Sequence, residues 1–289
     1  ITINNPSDSY LKHKVQDCST TMFTVSNLIS HPYFSSNPIV LLLNVVQVLN
    51  IPMMYLQETT AAMPYSKFAA SKDEKKQKMV PSKVGMLIIY VPALFGALVY
   101  LWLAHSEWLS EYQVNIAAVM VMIHFLKRTL EVLFLHKYSG STELSTARII
   151  GFAYAFQALM ICGTSNANPL QSSVTVGTVL FLIGIAGNFY HHYLLACLRS
   201  SNAGPGQAKQ YVAPKGGLFQ FVAAPHYLFE LIGWLGIAVA SEQVTAYIIF
   251  AGMVSYLSAR SLNQNNWNKQ KFSDKDWPSS RKNLIPFVY

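Results

Sequence analysis

The chain has 289 residues, of which 52% are hydrophobic and only 12% are charged, and its mean hydropathy is +0.28. Soluble domains usually carry about 25% charged residues, so this composition excludes an ordinary soluble globular protein and predicts a membrane protein. The net charge of +8 is distributed among the loops between apolar segments, which argues against nucleic-acid binding and indicates contact with a lipid bilayer.

Seven apolar segments, some of them short or interrupted, are interpreted as crossing the roughly 30 Å of bilayer hydrocarbon. They cover approximately residues 37–57, 84–104, 114–135, 148–163, 174–198, 218–240 and 243–259. The sequence therefore predicts an all-α fold, an integral membrane bundle of seven transmembrane helices. This membrane domain occupies residues 37–289, and a polar lumenal segment of residues 1–36 precedes it.

Basic residues alternate between the loops of this predicted bundle. The loops after the first, third and fifth segments and the C-terminal tail contain Lys and Arg, whereas the intervening loops contain none. The positive-inside rule then places the C-terminus in the cytosol and the N-terminus in the lumen. Six lysines within residues 67–83 are interpreted mainly as a contact with anionic lipid head groups.

The third segment places two adjacent cations, Lys127 and Arg128, well inside an apolar helix. Glu131 lies four residues after Lys127 and is a candidate partner on the same helix face. The guanidinium of Arg128 keeps its charge and needs an anionic partner. For Lys127 alone, extension to the membrane surface is the simpler interpretation, but two adjacent cations favour a functional role.

The fifth segment carries a polar helix face. Four residues share it at spacings of four, three and four: Asn188, His192, Leu195 and Arg199. A deep amide, an imidazole and a terminal guanidinium suit a ligand whose phosphates lie at the cytosolic end. The alternative is that these groups only hydrogen-bond neighbouring helices, but three of them on one face favour a ligand site.

The sixth segment adds a carboxylate and aromatic side chains to the same region. Tyr227 and Glu230 are three residues apart and Trp234 follows Glu230 by four, so the three line one wall. A glutamate within the bilayer must be paired, protonated or bound to a ligand. Trp234 taken alone is also typical of an interfacial anchor.

Motifs for metals, disulfides and soluble nucleotide-binding folds are absent from the sequence. There is no glycine-rich phosphate loop. His191 and His192 are adjacent, so a helix does not present both to one metal ion. The three cysteines are far apart in the sequence, which indicates neither a disulfide framework nor a zinc site.

Four ordered segments resemble the steroid 5-alpha-reductase family, which also includes very-long-chain trans-2-enoyl-CoA reductases and polyprenal reductases. They are HFLKRTLEVLFLHKYSG, GNFYHHYLLACLR, PKGGLFQFVAAPHYLFELIGWLG and WPSSRKNLIPFVY. The similarity covers about residues 37–289, is strongest after Gly184 and looks most like plant members. It places the C-terminal region typical of the family at about residues 148–289.

This resemblance implies a multi-pass enzyme of the endoplasmic reticulum membrane. It implies NADPH bound on the cytosolic side and hydride delivery to a C=C bond conjugated to a carbonyl. Together with the polar faces above, it leads us to expect nine residues around NADPH. They are Arg128, Asn188, His192, Arg199, His226, Glu230, Trp234, Arg260 and Asn268.

At the substrate end, the resemblance implies that Gln57 and Glu58 lie near the substrate carbonyl. Steroid reductases carry a tyrosine where Phe125 stands here, while enoyl-CoA reductases instead match Lys127 and Tyr227. The developing enolate oxygen needs a proton donor or a positive charge. Our hypothesis is that Tyr227 is the acid and that Lys127 or Glu58 supports the oxyanion, with Phe125 contacting the substrate.

Three functions are ranked on this basis. The first is NADPH-dependent reduction of a hydrophobic enone, a 4-ene-3-oxosteroid or related terpenoid. The second is trans-2-enoyl-CoA reduction in very-long-chain fatty-acid elongation, and the third is a non-catalytic membrane binding protein with this fold. His226 replaces the usual asparagine of the family, and residues 264–268 and Trp277 also depart from its pattern, which weakens the cofactor assignment.

Overall fold

A computed structural model describes residues 32–63, 78–106, 114–201 and 211–289 of the chain. Most of the predicted N-terminal segment and of the lysine cluster lies outside these described residues, as does the side chain of Arg199. The helices, strands and side-chain contacts of the structure all belong to these four ranges.

Seven α-helices account for most of the described residues, and they overlap the seven apolar segments. They are α1 (Pro38–Thr60), α2 (Ser82–His105), α3 (Ile116–Leu130), α4 (Leu144–Thr164), α5 (Gln171–Ser201), α6 (Pro225–Ser241) and α7 (Val244–Lys271). The strands β1 (Met79–Pro81) and β2 (Ser141–Glu143) form one short antiparallel pair. The all-α prediction is confirmed.

Four of these helices are long and apolar enough to cross a membrane: α1, α2, α4 and, within α5, Gln171–Leu198. The spanning role of α3, α6 and α7 and the orientation of the termini stay predictions. The α1 helix buries little of its surface against the protein, so its apolar side chains are available to lipid.

Two helix boundaries differ from the predicted segments. The sixth helix begins at Pro225 rather than near residue 218, because Gly216 and Gly217 adopt positive φ angles and lead into a 3-10 turn, Gly217–Gln220. Apolarity alone did not separate this turn from the helix. The seventh helix continues from the predicted end at residue 259 to Lys271 through a polar stretch.

An asparagine cap and a π turn position the ends of the helix that carries the two cations. Asn115 Oδ1 accepts a hydrogen bond from the Ala118 amide at 2.8 Å and starts α3. The helix ends in a π-helical turn, Glu131–Leu135, a feature that often accompanies functional sites. This turn begins at Glu131, next to the two cations of α3.

The packing of α5 against α6 is very close because glycines face the partner helix. A Cβ atom on Gly177 would lie only 2.7 Å from the carbonyl oxygen of Gly236, and one on Gly184 would collide with the Gly233 backbone. Small residues allow main chains to approach in this way in membrane helix pairs. The contact brings the polar face of α5 against the wall of α6.

The α1 helix packs along α7 and is held there by polar contacts. Asn44 donates to Thr245 Oγ1 at 3.0 Å, and Ser255 donates to the carbonyl oxygen of Ile51 at 2.5 Å. This pairing sets the C-terminal end of α1, with Gln57 and Glu58, against the middle of α7.

Candidate active site

A network of buried polar side chains lies where α3, α5 and α6 meet. This polar cluster consists of Tyr90, Lys127, Arg128, Glu131, Asn188, His192 and Glu230. Asn188 is 2% exposed, and its Nδ2 donates to Glu230 Oε2 at 3.0 Å and to the His226 carbonyl at 2.8 Å. Lys127 Nζ donates to Asn188 Oδ1. One amide thus joins the three helices.

Glu131 forms the other centre of the polar cluster. Its Oε1 lies 2.9 Å from Lys127 Nζ, and its Oε2 lies 2.7 Å from Arg128 Nη1 and 3.1 Å from His192 Nδ1. The predicted pair between Lys127 and Glu131 forms, and Arg128 has its expected anionic partner. Buried charges gathered in this way are costly to separate, because each partner compensates the others.

Tyr90, on α2, belongs to the polar cluster although sequence analysis did not select it. Arg128 Nη2 donates to the Tyr90 hydroxyl at 2.5 Å, and the guanidinium carbon lies 4.7 Å from the ring centroid. Tyr90 stands in a uniformly apolar run, with only apolar residues on both sides for a full helical turn. Only the packing of α2 against α3 reveals its role.

Trp234 and His124 extend the polar cluster toward the core. His124 Nε2 lies 3.3 Å from Glu230 Oε1, and the rings of His124 and Trp234 are 5.0 Å apart. Trp234 is 1% exposed and buried in the protein, so the interfacial-anchor interpretation is wrong. Within the described part of the chain, Trp234 Nε1 and Arg128 Nε are buried without a hydrogen-bond partner.

The two aromatic residues that open α6 lie beside the polar cluster. The His226 ring lies 5.4 Å from the ring of His192 and 4.2 Å from that of Tyr227. His226 Nδ1 is buried and finds no partner among the described residues. Tyr227 is half-buried and packs against the hydrophobic core. His226 therefore occupies the space between the imidazole of α5 and the predicted acid.

A cleft opens between α1, α4 and α7. Its walls are mainly apolar. The lining residues are Met54, Gln57, Glu58, Met63, Ile149, Ile150, Ala153, Tyr154, Gln157, Met253 and Tyr256. Gln57 and Glu58 line this cleft, whereas Tyr227 is not among its lining residues.

Glu58 is buried at the edge of this cleft and bonded to Arg260 of α7. Arg260 Nη1 lies 2.7 Å from Glu58 Oε1, and the Met63 amide donates to Glu58 Oε2 at 3.1 Å. Asn263 Nδ2 donates to the Glu58 carbonyl at 2.7 Å. The sequence-based prediction places Arg260 at the cofactor and Glu58 at the substrate, but these two side chains form one buried ion pair.

Phe125 and Tyr154 connect the cleft to the polar cluster. The Phe125 ring, 0% exposed, lies 5.6 Å from Tyr154 and 6.1 Å from Trp234. Tyr154 lines the cleft and stacks on Tyr90 at 5.9 Å. A single layer of aromatic rings therefore separates the cleft from the polar cluster.

Two residues that depart from the resembled family's pattern, Asn265 and Trp277, are hydrogen-bonded to each other near the C-terminus. Trp277 Nε1 donates to Asn265 Oδ1 at 2.9 Å, and Asn265 Nδ2 donates to the Arg281 carbonyl at 2.9 Å. Burial lowers the pKa of the Arg281 guanidinium, whose central carbon lies 3.9 Å from the centroid of a Trp277 ring. The side chains of Asn265 and Trp277 and the main chain at Arg281 therefore form one anchor.

This anchor fixes the C-terminal segment beside the start of α6. Val222 and Lys282 form a parallel bridge, in which the Ala223 amide donates to the Lys282 carbonyl at 2.8 Å. Asn268, predicted to contact the cofactor, accepts from Gln264 Nε2 at 3.3 Å.

The chain is similar to known proteins of one family. The sequence profile of a family described as 3-oxo-5-alpha-steroid 4-dehydrogenase matches residues 147–289. A provisionally named enoyl reductase of Schizosaccharomyces pombe is 30% identical over 220 residues, which cover 71% of this chain and 68% of the relative. The chain belongs to the 3-oxo-5-alpha-steroid 4-dehydrogenase family.

The names of other relatives refer to different substrates. The 3-oxo-5-alpha-steroid 4-dehydrogenase 1 of Rattus norvegicus is 28% identical, over 72% of this chain and 81% of its own length. The very-long-chain enoyl-CoA reductase of Dictyostelium discoideum is 27% identical, over 60% of this chain and 58% of its own. The chain is thus related to membrane oxidoreductases of steroid and lipid metabolism, and the relatives do not single out one substrate.

Proposed function

We propose that this protein catalyses the NADPH-dependent reduction of a C=C bond conjugated to a carbonyl in a hydrophobic substrate, a 4-ene-3-oxosteroid or related terpenoid enone. The observation that carries the proposal is the single aromatic layer between an apolar cleft and a buried polar cluster. Such a layout keeps an apolar substrate and a polar cofactor apart except at one junction. The proposed location is the endoplasmic reticulum membrane, with the C-terminus in the cytosol.

The polar cluster fits a nucleotide cofactor because it contains buried donors that lack partners among the described residues. Arg128 Nε and Trp234 Nε1 each need an acceptor, and a ligand rich in carboxamide and phosphate oxygens supplies several. NADPH, when bound, supplies a hydride. We assign its binding to Arg128, Asn188, His192, Arg199, His226, Glu230, Trp234 and Asn268. Arg260 was predicted to join them, but its bond to Glu58 supports a role at the cleft instead.

The chain's own residues must then stabilise negative charge on the substrate oxygen and deliver a proton. Lys127 is held by Asn188 and Glu131 and presents a largely buried positive charge within the polar cluster. Glu58 accepts hydrogen bonds from Arg260 and the Met63 amide, which supports Lys127 rather than Glu58 as the oxyanion support.

The proposed proton donor is Tyr227, beside His226 at the start of α6. A second phenol, Tyr154, lines the cleft itself and packs against Phe125, where steroid reductases carry a tyrosine. The two candidates stand on different helices, so single substitutions separate them.

Reduction of a trans-2-enoyl-CoA is the second candidate, because enone and enoyl thioester place the same electronic demand on the site. It is supported by the enoyl-CoA reductase relative and by the combination of Lys127 with Tyr227. A non-catalytic binding protein is the third candidate.

The test uses the full chain in detergent or in membrane vesicles. NADPH consumption is followed with 4-ene-3-oxosteroids and, separately, with trans-2-enoyl-CoA thioesters, and thermal unfolding is measured with and without NADPH. We expect faster turnover of the steroid enones and stabilisation by NADPH. Turnover of the thioester alone would support the second function. Absence of both turnover and stabilisation would contradict the enzyme proposal.

A further inference from the structure

Gln157 is a half-buried polar residue that the proposed reaction does not use. It lies on α4, a helix apolar enough to span a membrane, and lines the cleft. Its Oε1 atom is buried and has no hydrogen-bond partner in the part of the chain that the structure describes. A carbonyl oxygen left in this state costs free energy, so its retention calls for a ligand or another explanation.

The position of Gln157 on α4 places it beyond the reacting end of the cleft. Ile150, Ala153, Tyr154 and Gln157 follow at helical spacing and all line the cleft. Gln157 stands three residues, about 5 Å along the helix axis, past Tyr154. Since Tyr154 marks the junction with the polar cluster, Gln157 faces a part of the ligand that lies away from the junction.

The surroundings of Gln157 limit what this ligand group is. The methionines of the lining, Met54, Met63 and Met253, provide apolar and adaptable walls. An amide among such walls discriminates strongly between a ligand that fills its hydrogen bond and one that does not, because the unfilled case leaves a polar group unpaired.

We propose that Gln157 recognises a hydroxyl group on the apolar skeleton of the substrate, remote from the carbonyl that is conjugated to the reacting C=C bond. The proposal rests on the proposed function and narrows its substrate class to hydroxylated hydrophobic enones. A hydroxyl donates to Oε1 and also accepts from Nε2 in the flipped amide, so it satisfies either orientation of the side chain. A ketone only accepts, and a hydrocarbon group does neither.

The test compares three 4-ene-3-oxosteroids that differ only in one substituent at the end remote from the enone: hydroxyl, keto or hydrogen. For the wild-type chain we expect kcat/KM and affinity to fall in that order. Gln157→Leu should reduce the advantage of the hydroxyl compound over the hydrogen compound by about three- to tenfold, mostly through KM. The hydrogen compound, which has no group that bonds to the Gln157 amide, is the internal reference for this ratio.

Gln47→Leu is the matched control. Gln47 also lies in an apolar helix, α1, and its buried Nε2 lacks a partner among the described residues, but it is not part of the cleft lining. This variant should keep the hydroxyl preference. Each leucine variant removes an unsatisfied group, so thermal unfolding of the ligand-free protein should not move to lower temperature, which checks that both variants fold.

Several outcomes would overturn the inference. One is a hydroxyl preference that survives Gln157→Leu, and another is an equal loss in Gln47→Leu. Direct binding of the three steroids, measured by fluorescence displacement without NADPH, separates this inference from the proposed reaction. A binding preference that depends on Gln157 without any turnover supports the hydroxyl site and contradicts the reductase. If none of the three binds, the hydroxyl site is wrong.

Discussion

The polar cluster and the cleft differ sharply in polarity, although only one layer of aromatic side chains lies between them. In the polar cluster, Asn188 bonds Lys127 and Glu230, and Glu131 pairs with Lys127 and Arg128, so the contacts cross three helices. The cleft is mostly thioether, aliphatic and aromatic surface with one ion pair at its edge. The polar residues of the cluster stand out in an apolar sequence, whereas the residues that line the apolar cleft look like ordinary membrane-facing ones.

The strongest test of this division is the proton donor, which belongs either to α6 or to the cleft. Tyr227→Phe should lower kcat by about 10²–10⁴-fold, because a positioned general acid contributes on that scale. The NADPH dissociation constant should stay unchanged. Steady-state NADPH oxidation gives kcat, and stopped-flow measurement of NADPH binding gives the dissociation constant.

Tyr154→Phe is the matched variant, since it removes the phenol that lines the cleft. If Tyr227 is the acid, Tyr154→Phe should keep kcat within a few fold of wild type. The reverse result, an active Tyr227→Phe and an inactive Tyr154→Phe, would move the proton donor into the cleft.

The buried pair at the cleft edge should matter mainly for stability and substrate binding. Arg260→Met leaves the Glu58 carboxylate buried and uncompensated, so we expect a loss of about 3–5 kcal/mol in the free energy of unfolding. Adding Glu58→Gln should recover much of it. Denaturation of the single and double variants in detergent measures both effects.

The same variants decide where Arg260 acts. If it belongs to the cleft, the double variant should keep NADPH affinity while its KM for the steroid rises. A large loss of NADPH affinity with an unchanged KM for the steroid would support a cofactor-binding role for Arg260. It would contradict the assignment of Arg260 to the cleft.

Within the polar cluster, Asn188→Leu should weaken stability by about 2–3 kcal/mol and NADPH affinity as well, because Lys127 and Glu230 each lose a partner. The control is Asn44→Leu, which removes another buried asparagine, bonded to Thr245. That variant should lose some stability but bind NADPH normally. Thermal unfolding and NADPH titration report the two quantities, and equal NADPH losses would contradict the assignment.

The smallest effect is expected at the C-terminal anchor, outside both regions. Asn265→Ala leaves Trp277 Nε1 without its acceptor, at a cost of about 1–2 kcal/mol. Limited proteolysis should then cut the C-terminal segment faster. Asn266→Ala, at the neighbouring exposed position, should have no such effect. Equal cleavage rates in the two variants would show that the bond does not hold the segment.

Local spacing predicted much of the fold and of the polar cluster. Lys127 and Glu131 were paired correctly because both stand on one helix, and Asn188 was selected because polar groups recur on one face of α5. The start of α6 was not predicted, because the apolar residues that follow Gly216 and Gly217 do not separate the turn from the helix.

The residues that escaped prediction depend on contacts between distant helices. Tyr90, Tyr154 and Gln157 lie in α2 and α4, where nothing in the local spacing marks them, and they acquire a role only through packing. The bond between Glu58 and Arg260 joins residues 202 positions apart. Single-sequence spacing has no access to such pairs, because it reports one helix at a time.

The glycine contacts between α5 and α6 set the distance between these two helices beside the polar cluster. A Cβ atom added at Gly184 would collide with the Gly233 amide nitrogen, so one extra methyl group there would push the helices apart. The separation would be felt one turn further along, where Asn188 reaches Glu230. Tolerance to sequence change should therefore be low at Gly184, although this residue has no side chain.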